Sequence, residues 1–144
     1  MAKFYGVGTG PGASDLLTIR GKEVIERVDC LYTPEPKKGG KSLALQIVTP
    51  YVRERTIIKQ RYFPMVKDWD EKQKAWNEIA KEIINDVKSG LNVAFITLGD
   101  PMVYSTYSYL LERIADHVET ETIPGISSFS QISNQLQIPL VIDE

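Results

Sequence analysis

Four glycines fall within Gly6-Val7-Gly8-Thr9-Gly10-Pro11-Gly12, directly after the apolar pair Phe4-Tyr5. Glycine at that density weakens any regular element, so a strand that runs into it reads as backbone shaped to lie close against a ligand. Leu98-Gly99-Asp100-Pro101-Met102-Val103-Tyr104 and Pro124-Gly125-Ile126-Ser127-Ser128 have the same character, each following an apolar stretch. Small residues and prolines stand there where a plain connection needs only a turn. Gly8-x-Gly10-x-x-Ala13 also fits a relaxed dinucleotide fingerprint, in which glycines let pyrophosphate approach a helix N-terminus. Against an NAD-binding oxidoreductase domain, Pro11 removes a backbone donor and Asp15 places a carboxylate where pyrophosphate would sit. Gly40-Lys41-Ser42 resembles the end of a phosphate-binding loop, but the glycine that motif needs earlier is Glu35, so it reads as a helix start. Cys30 and His117 are the lone cysteine and histidine, which excludes multi-thiolate and three-histidine metal sites.

The elements that must position these loops alternate. Apolar and β-branched runs predict strands at 3–8, 29–33, 55–61, 92–97, 118–123 and 140–142. Helical spacing predicts helices at 19–28, 42–52, 70–89, 106–115 and 128–136. In the first of these Ile19, Val24, Ile25 and Val28 share a face, and in the third the stripe is Trp76, Ile79, Ala80, Ile83, Ile84 and Val87. Strands alternating with helices imply right-handed crossovers and a mainly parallel sheet flanked by helices, an α/β fold. Ligands of such sheets sit beyond the carboxyl ends of the strands, where all three unusual loops fall.

With 144 residues, 42% of them hydrophobic and 25% charged, the chain can bury one ordinary core. The formal net charge of −2 argues against a general nucleic-acid or anionic-membrane partner. No stretch approaches the length of an apolar bilayer span, and the single cysteine favours a reducing compartment, so a cytoplasmic location is expected.

Taken together, Gly6 to Thr18, Leu98-Gly99-Asp100-Pro101 and Ile123 to Ser128 resemble, in order and spacing, the signature segments of the tetrapyrrole methylases. Within that family, the stretches 42–48, 63–65, 98–111 and 124–130 are similar to the C20-methyltransferases of precorrin-2 or cobalt-factor-2 in cobalamin synthesis. The resemblance implies a cofactor, S-adenosylmethionine, held by Pro11, Leu98, Gly99, Asp100, Val103, Ser127 and Ser128. It implies a tetrapyrrole substrate near Gly8, Gly10, Gly12 and Tyr104, and a homodimer. Asp100 has a plainer alternative as a loop-closing carboxylate bonded to nearby amides. Asp29 matches a carboxylate assigned as proton acceptor in uroporphyrinogen-methylating relatives, its alternative being punctuation between helix and strand. Cationic partners for substrate carboxylates are sought among Lys37, Lys38, Lys41, Arg53, Arg55 and Arg61, and flat surface among Tyr104, Tyr107 and Tyr109. The family has two α/β domains, so residues 1–117 are expected to form the first and 118–144 only the start of the second. Uroporphyrinogen-III methylation, diphthine synthesis and a non-catalytic interaction module are the competing functions.

Overall fold

The structure is a computed structural model that describes residues 1–35, 40–63 and 68–142. Five parallel strands form one sheet: β1 (Phe4–Gly8), β2 (Cys30–Glu35), β3 (Ile57–Tyr62), β4 (Val93–Thr97) and β5 (Thr120–Ile123). Their order across the sheet is β3-β2-β4-β1-β5. The helices are α1 (Ile19–Arg27), α2 (Leu43–Val48), α3 (Trp69–Lys88), α4 (Tyr107–Ile114) and α5 (Ser128–Leu136). The α/β class and the alternation of elements are as the hydrophobic pattern predicts.

Local chemistry sets the helix starts. Thr18 accepts from the Gly21 amide at 3.0 Å, Ser42 from Leu45 at 3.1 Å and Asp68 from Asp70 at 3.0 Å, each satisfying a donor that the first turn leaves unpaired. Ser42 is thus a helix cap. Pro50 falls in a short 3-10 turn after α2, where its missing amide breaks no helical bond.

Alternate side chains of the central strand leave it on opposite faces, as the pleat requires. Val93 and Phe95 of β4 join Cys30, Tyr32 and the apolar stripes of α3 and α4. Ala94 and Ile96 join Val7, Leu31 and the inner faces of α1 and α2. Every residue of β4 is buried, which explains its unbroken apolar run.

Two expectations are corrected. Ile19 is 78% exposed and lies outside the buried face of α1, which consists of Gly21, Val24 and Ile25. Residues 140–142 form no strand, because no described strand lies beside them to complete a ladder. The strand within 118–123 hydrogen-bonds to β1 and extends the same sheet, whereas α5 buries none of its residues.

Charge fastens the edge strand β3 to α3. Arg61 grips Glu82 with two forked bonds, Nε to Oε1 at 2.8 Å and Nη2 to Oε2 at 2.6 Å. Lys59 Nζ reaches Asp86 at 2.9 Å and Glu82 at 3.3 Å, and the buried Tyr32 hydroxyl donates to Asp86 at 2.5 Å. Burial raises the Tyr32 phenol well above its ordinary value, and burial pushes the Cys30 thiol beside it up to about 11, so this cysteine stays protonated. The hydrogen bond from Arg61 holds the Glu82 carboxyl below its usual range, against the opposing effect of burial.

A carboxylate depressed in the folded state stabilises that state above its unfolded value, about 4.3, and the contribution is lost as pH falls through the lower folded value. Glu82→Gln should therefore be less stable than the wild type at about pH 7 yet lose less stability between about pH 5 and 3. Urea midpoints across that range would show it, and parallel pH slopes in the two proteins would contradict it.

Candidate functional site

The strand order places a topological switch at the centre of the sheet. β1 connects through α1 to β2 on one side, and β4 connects through α4 to β5 on the other. α1 and α4 pack on opposite faces, so the two connections diverge and leave a crevice at the carboxyl ends of β1 and β4. That crevice is lined by Pro11, Leu98, Gly99, Asp100, Val103, Ser127 and Ser128, with Tyr104 among them. Three loops far apart in sequence meet there.

Backbone approaching backbone holds the loops together. A Cβ on Gly8 would stand 2.6 Å from the Gly99 carbonyl oxygen, 2.7 Å from the Gly125 nitrogen and 2.8 Å from Pro101 Cδ. A Cβ on Gly125 would overlap the same Gly99 oxygen. Only glycine fits at both positions. Gly10 and Gly99 exchange backbone bonds, Gly10 N–H donating at 3.2 Å and Gly99 N–H at 2.9 Å. Asp100 adds the third tie: its Oδ1 accepts from Gly125 N–H at 3.0 Å and its Oδ2 from Met102 N–H at 2.9 Å. Its carboxylate closes loops while its backbone lines the crevice, so the plainer reading of that side chain is the one the geometry supports. Gly12 stands apart from this contact, in an adjoining hollow with Pro11, Leu43 and Leu98.

The tyrosines separate sharply. Tyr107 is fully buried, its hydroxyl 2.6 Å from Thr122 Oγ1, and burial raises its phenol above the ordinary value although the Thr122 bond lowers it. Tyr109 stacks on Trp76 with ring centres 4.2 Å apart. Tyr104 alone is fully exposed, and it holds a left-handed backbone with φ of 50°. For a residue with a Cβ that conformation costs about 1–2 kcal/mol. Its neighbours enforce it: Val103 N–H bonds to Asp100 O at 3.2 Å, and Ser105 Oγ lies 2.9 Å from Thr97 Oγ1 while accepting from Tyr107 N–H at 3.1 Å.

Other candidates lie elsewhere. Asp29 precedes β2, at the end of the sheet opposite the crevice, about 20 Å away by the length of a six-residue strand. Its Oδ2 accepts from Asn92 N–H at 2.8 Å, and Asn92 Oδ1 accepts from Lys3 N–H at 3.1 Å, so it joins strand starts. Arg53 donates to Arg27 O at 3.1 Å and Val28 O at 2.8 Å, covering the end of α1, and Arg61 is committed to Glu82. Lys41 lines a separate hollow with Glu35 and Gln60, and Lys37 and Lys38 lie outside the described residues, as do Pro64 and Met65. The His117 amide donates to Ile114 O and ends α4. The glycine loop does not open directly onto a helix either. A 3-10 turn at Ser14–Leu16 intervenes, Ser14 Oγ is spent on Ile47 O at 2.7 Å, and Thr18 caps α1, which removes the geometry a dinucleotide needs.

Sequence reasoning missed Pro34, Ser105 and Phe129, which also line the crevice. Phe129 carried a signal, being a large apolar residue directly after the Ser127-Ser128 pair. Among the described residues no group of three or more His, Cys, Asp or Glu side chains could hold a metal ion, and no helix is long and apolar enough to cross a membrane.

The family model for tetrapyrrole (corrin/porphyrin) methylases matches residues 3–144. The chain belongs to that family. It is 44% identical over 98% of its length to the cobalt-precorrin-2 C(20)-methyltransferase of Salmonella typhimurium, covering 60% of that protein. It is 41% identical over 96% of its length to the probable cobalt-precorrin-2 C(20)-methyltransferase of Methanocaldococcus jannaschii, covering 59% of it. The chain thus spans about three fifths of the curated relatives it matches. Among solved structures, the uroporphyrin-III C-methyl transferase of Thermus thermophilus complexed with S-adenyl homocysteine superposes with a TM-score of 0.64 at 19% identity, over 88% of this chain and 46% of that one. The fold of this tetrapyrrole methylase chain is therefore shared at low identity.

Substitution of the glycines tests the loop contact. Gly125→Ala should destabilise this methylase chain by about 2 kcal/mol through overpacking. Gly12→Ala, where a Cβ would meet nothing within 4 Å, should stay within about 0.5 kcal/mol. Equal denaturation midpoints for the two variants would refute the tight approach.

Proposed function

We propose that the chain takes part in S-adenosylmethionine-dependent methylation of a tetrapyrrole, with C20 of cobalt-precorrin-2 as the acceptor and cobalamin synthesis as the setting. The observation that carries the reading is the single crevice formed by the loops after β1, β4 and β5, lined by all seven residues that the family resemblance assigns to the cofactor. The cobalt form of the substrate is favoured because the relatives at 44% and 41% identity bear that name.

The residues present fit such a cofactor in kind. Gly99 and Asp100 offer backbone carbonyls with a lone pair to spare, Val103 and Leu98 an apolar wall, and Ser127 and Ser128 hydroxyls at the start of α5. When bound, S-adenosylmethionine supplies a sulfonium methyl that is already activated. What remains for the protein is to hold an acceptor carbon in line and keep water out, and positioning alone can supply several kcal/mol. Among the described residues that line the crevice, Asp100 and Tyr104 are the only side chains that titrate, and Asp100 is engaged by two amides. The Asp100 carboxylate is therefore spent on closing loops, and Asp29 lies at the far end of the sheet from the crevice.

Calorimetric titration with S-adenosylhomocysteine should give saturable binding that Val103→Trp, which fills the crevice, weakens at least about tenfold. Heats that do not saturate would overturn the reading. In a methyl-transfer assay on cobalt-precorrin-2, Asp29→Asn should keep turnover within about twofold of wild type while lowering stability by no more than about 1 kcal/mol, the difference between a charged and a neutral acceptor for the Asn92 amide. A hundredfold loss of turnover in a folded Asp29→Asn protein would restore it to the catalytic machinery.

A further inference from the structure

Tyr104 and Phe129 stand out from the rest of the crevice. Both are large aromatic side chains left in water on its lining, one from the loop after β4 and one from the first turn of α5, where neighbouring positions are small. Phe129 is 48% exposed and Tyr104 completely so. Tyr104 is also one of two non-glycine residues among those described with a positive φ, and the other, Gln137, ends a helix in the ordinary way. Tyr104 ends no helix. It is held left-handed between Val103 and Ser105, and its ring gains no packing against the described residues in return. Strain kept at a cleft without an internal return is the mark of a side chain placed for a ligand.

We propose that Tyr104 and Phe129 form an aromatic clamp that closes on the flat face of the macrocycle and not on the nucleoside of the cofactor. This rests on the methyl-transfer reading above and adds to it a specificity-determining pair. Small residues and backbone dominate the crevice floor, Gly99, Asp100 and Ser127 among them, and suit a ligand that is gripped by hydrogen bonds along its edge. Exposed aromatic rings instead suit a broad, partly conjugated surface, which gains from stacking and from removal of apolar area on both partners. Tyr104 brings a hydroxyl as well, but a clamp of this kind needs only its ring.

The test uses cobalt-precorrin-2 and S-adenosylhomocysteine as separate probes of the wild type and of Tyr104→Phe, Tyr104→Gly and Phe129→Ala. Tyr104→Gly removes both ring and strain, so it should melt at or above the wild-type temperature. It should nonetheless raise KM for the macrocycle about fivefold or more, and Phe129→Ala should do the same, the size expected for loss of an aromatic contact. Tyr104→Phe, which keeps the ring, should recover most of the macrocycle KM lost in Tyr104→Gly, and S-adenosylhomocysteine affinity should change by no more than about twofold in all three. Macrocycle KM unaltered in both Tyr104→Gly and Phe129→Ala would overturn the clamp, and so would a loss confined to S-adenosylhomocysteine. A wild type that takes up neither probe would overturn the methyl-transfer reading and the clamp together.

Discussion

At the carboxyl ends of β1 and β4 three stretches of backbone come closer than any side chain allows. Gly8, Gly99 and Gly125 leave no room for a Cβ at the first and last of these positions, and Asp100 ties the latter two loops with its carboxylate. Such a contact costs conformational entropy, since glycine is the residue with most freedom to lose. What it supplies is a floor built from peptide groups, of which Gly99 and Asp100 line the crevice.

The floor exists only because the sheet supports it from below. β4 is buried on both faces and lies between β1 and β2, so the loops after β1 and β4 start side by side while their helices leave for opposite faces. A sheet with strands in sequence order would have no such divergence, and the loops would be covered by a helix. The Arg61–Glu82 fork and the Lys59–Asp86 pair hold the far edge strand against α3, which keeps the same layer in register. Asp29 and Asn92 do a comparable task at the amino ends of the strands. In these pairs charge fastens one element to another.

Much of this was legible from residue types. The glycine loop, Leu98-Gly99-Asp100-Pro101 and Pro124-Gly125 declared themselves because close approach of backbone leaves a compositional trace. The helices declared themselves through spacing and caps, down to Ser42 in place of a phosphate loop. Three tyrosines in six residues did not separate, since Tyr104, Tyr107 and Tyr109 fall into exposed, buried and stacked environments by rotation about α4 and a left-handed turn before it. The arginines were equally indistinct, because a guanidinium that covers a helix end and one left free for a substrate look alike in sequence.

By itself the sequence determined the α/β class and the positions of the three loops, because each depends on local periodicity or on a backbone conformation that few residues tolerate; the seven crevice residues follow from the family resemblance instead. Only the tertiary structure decided that Asp100 closes loops, that Asp29 lies at the opposite end of the sheet, and that Tyr104 and Phe129 share one lining. Those facts depend on strand order and on which long-range partner satisfies each polar group. Neither is written in the spacing of residues along the chain.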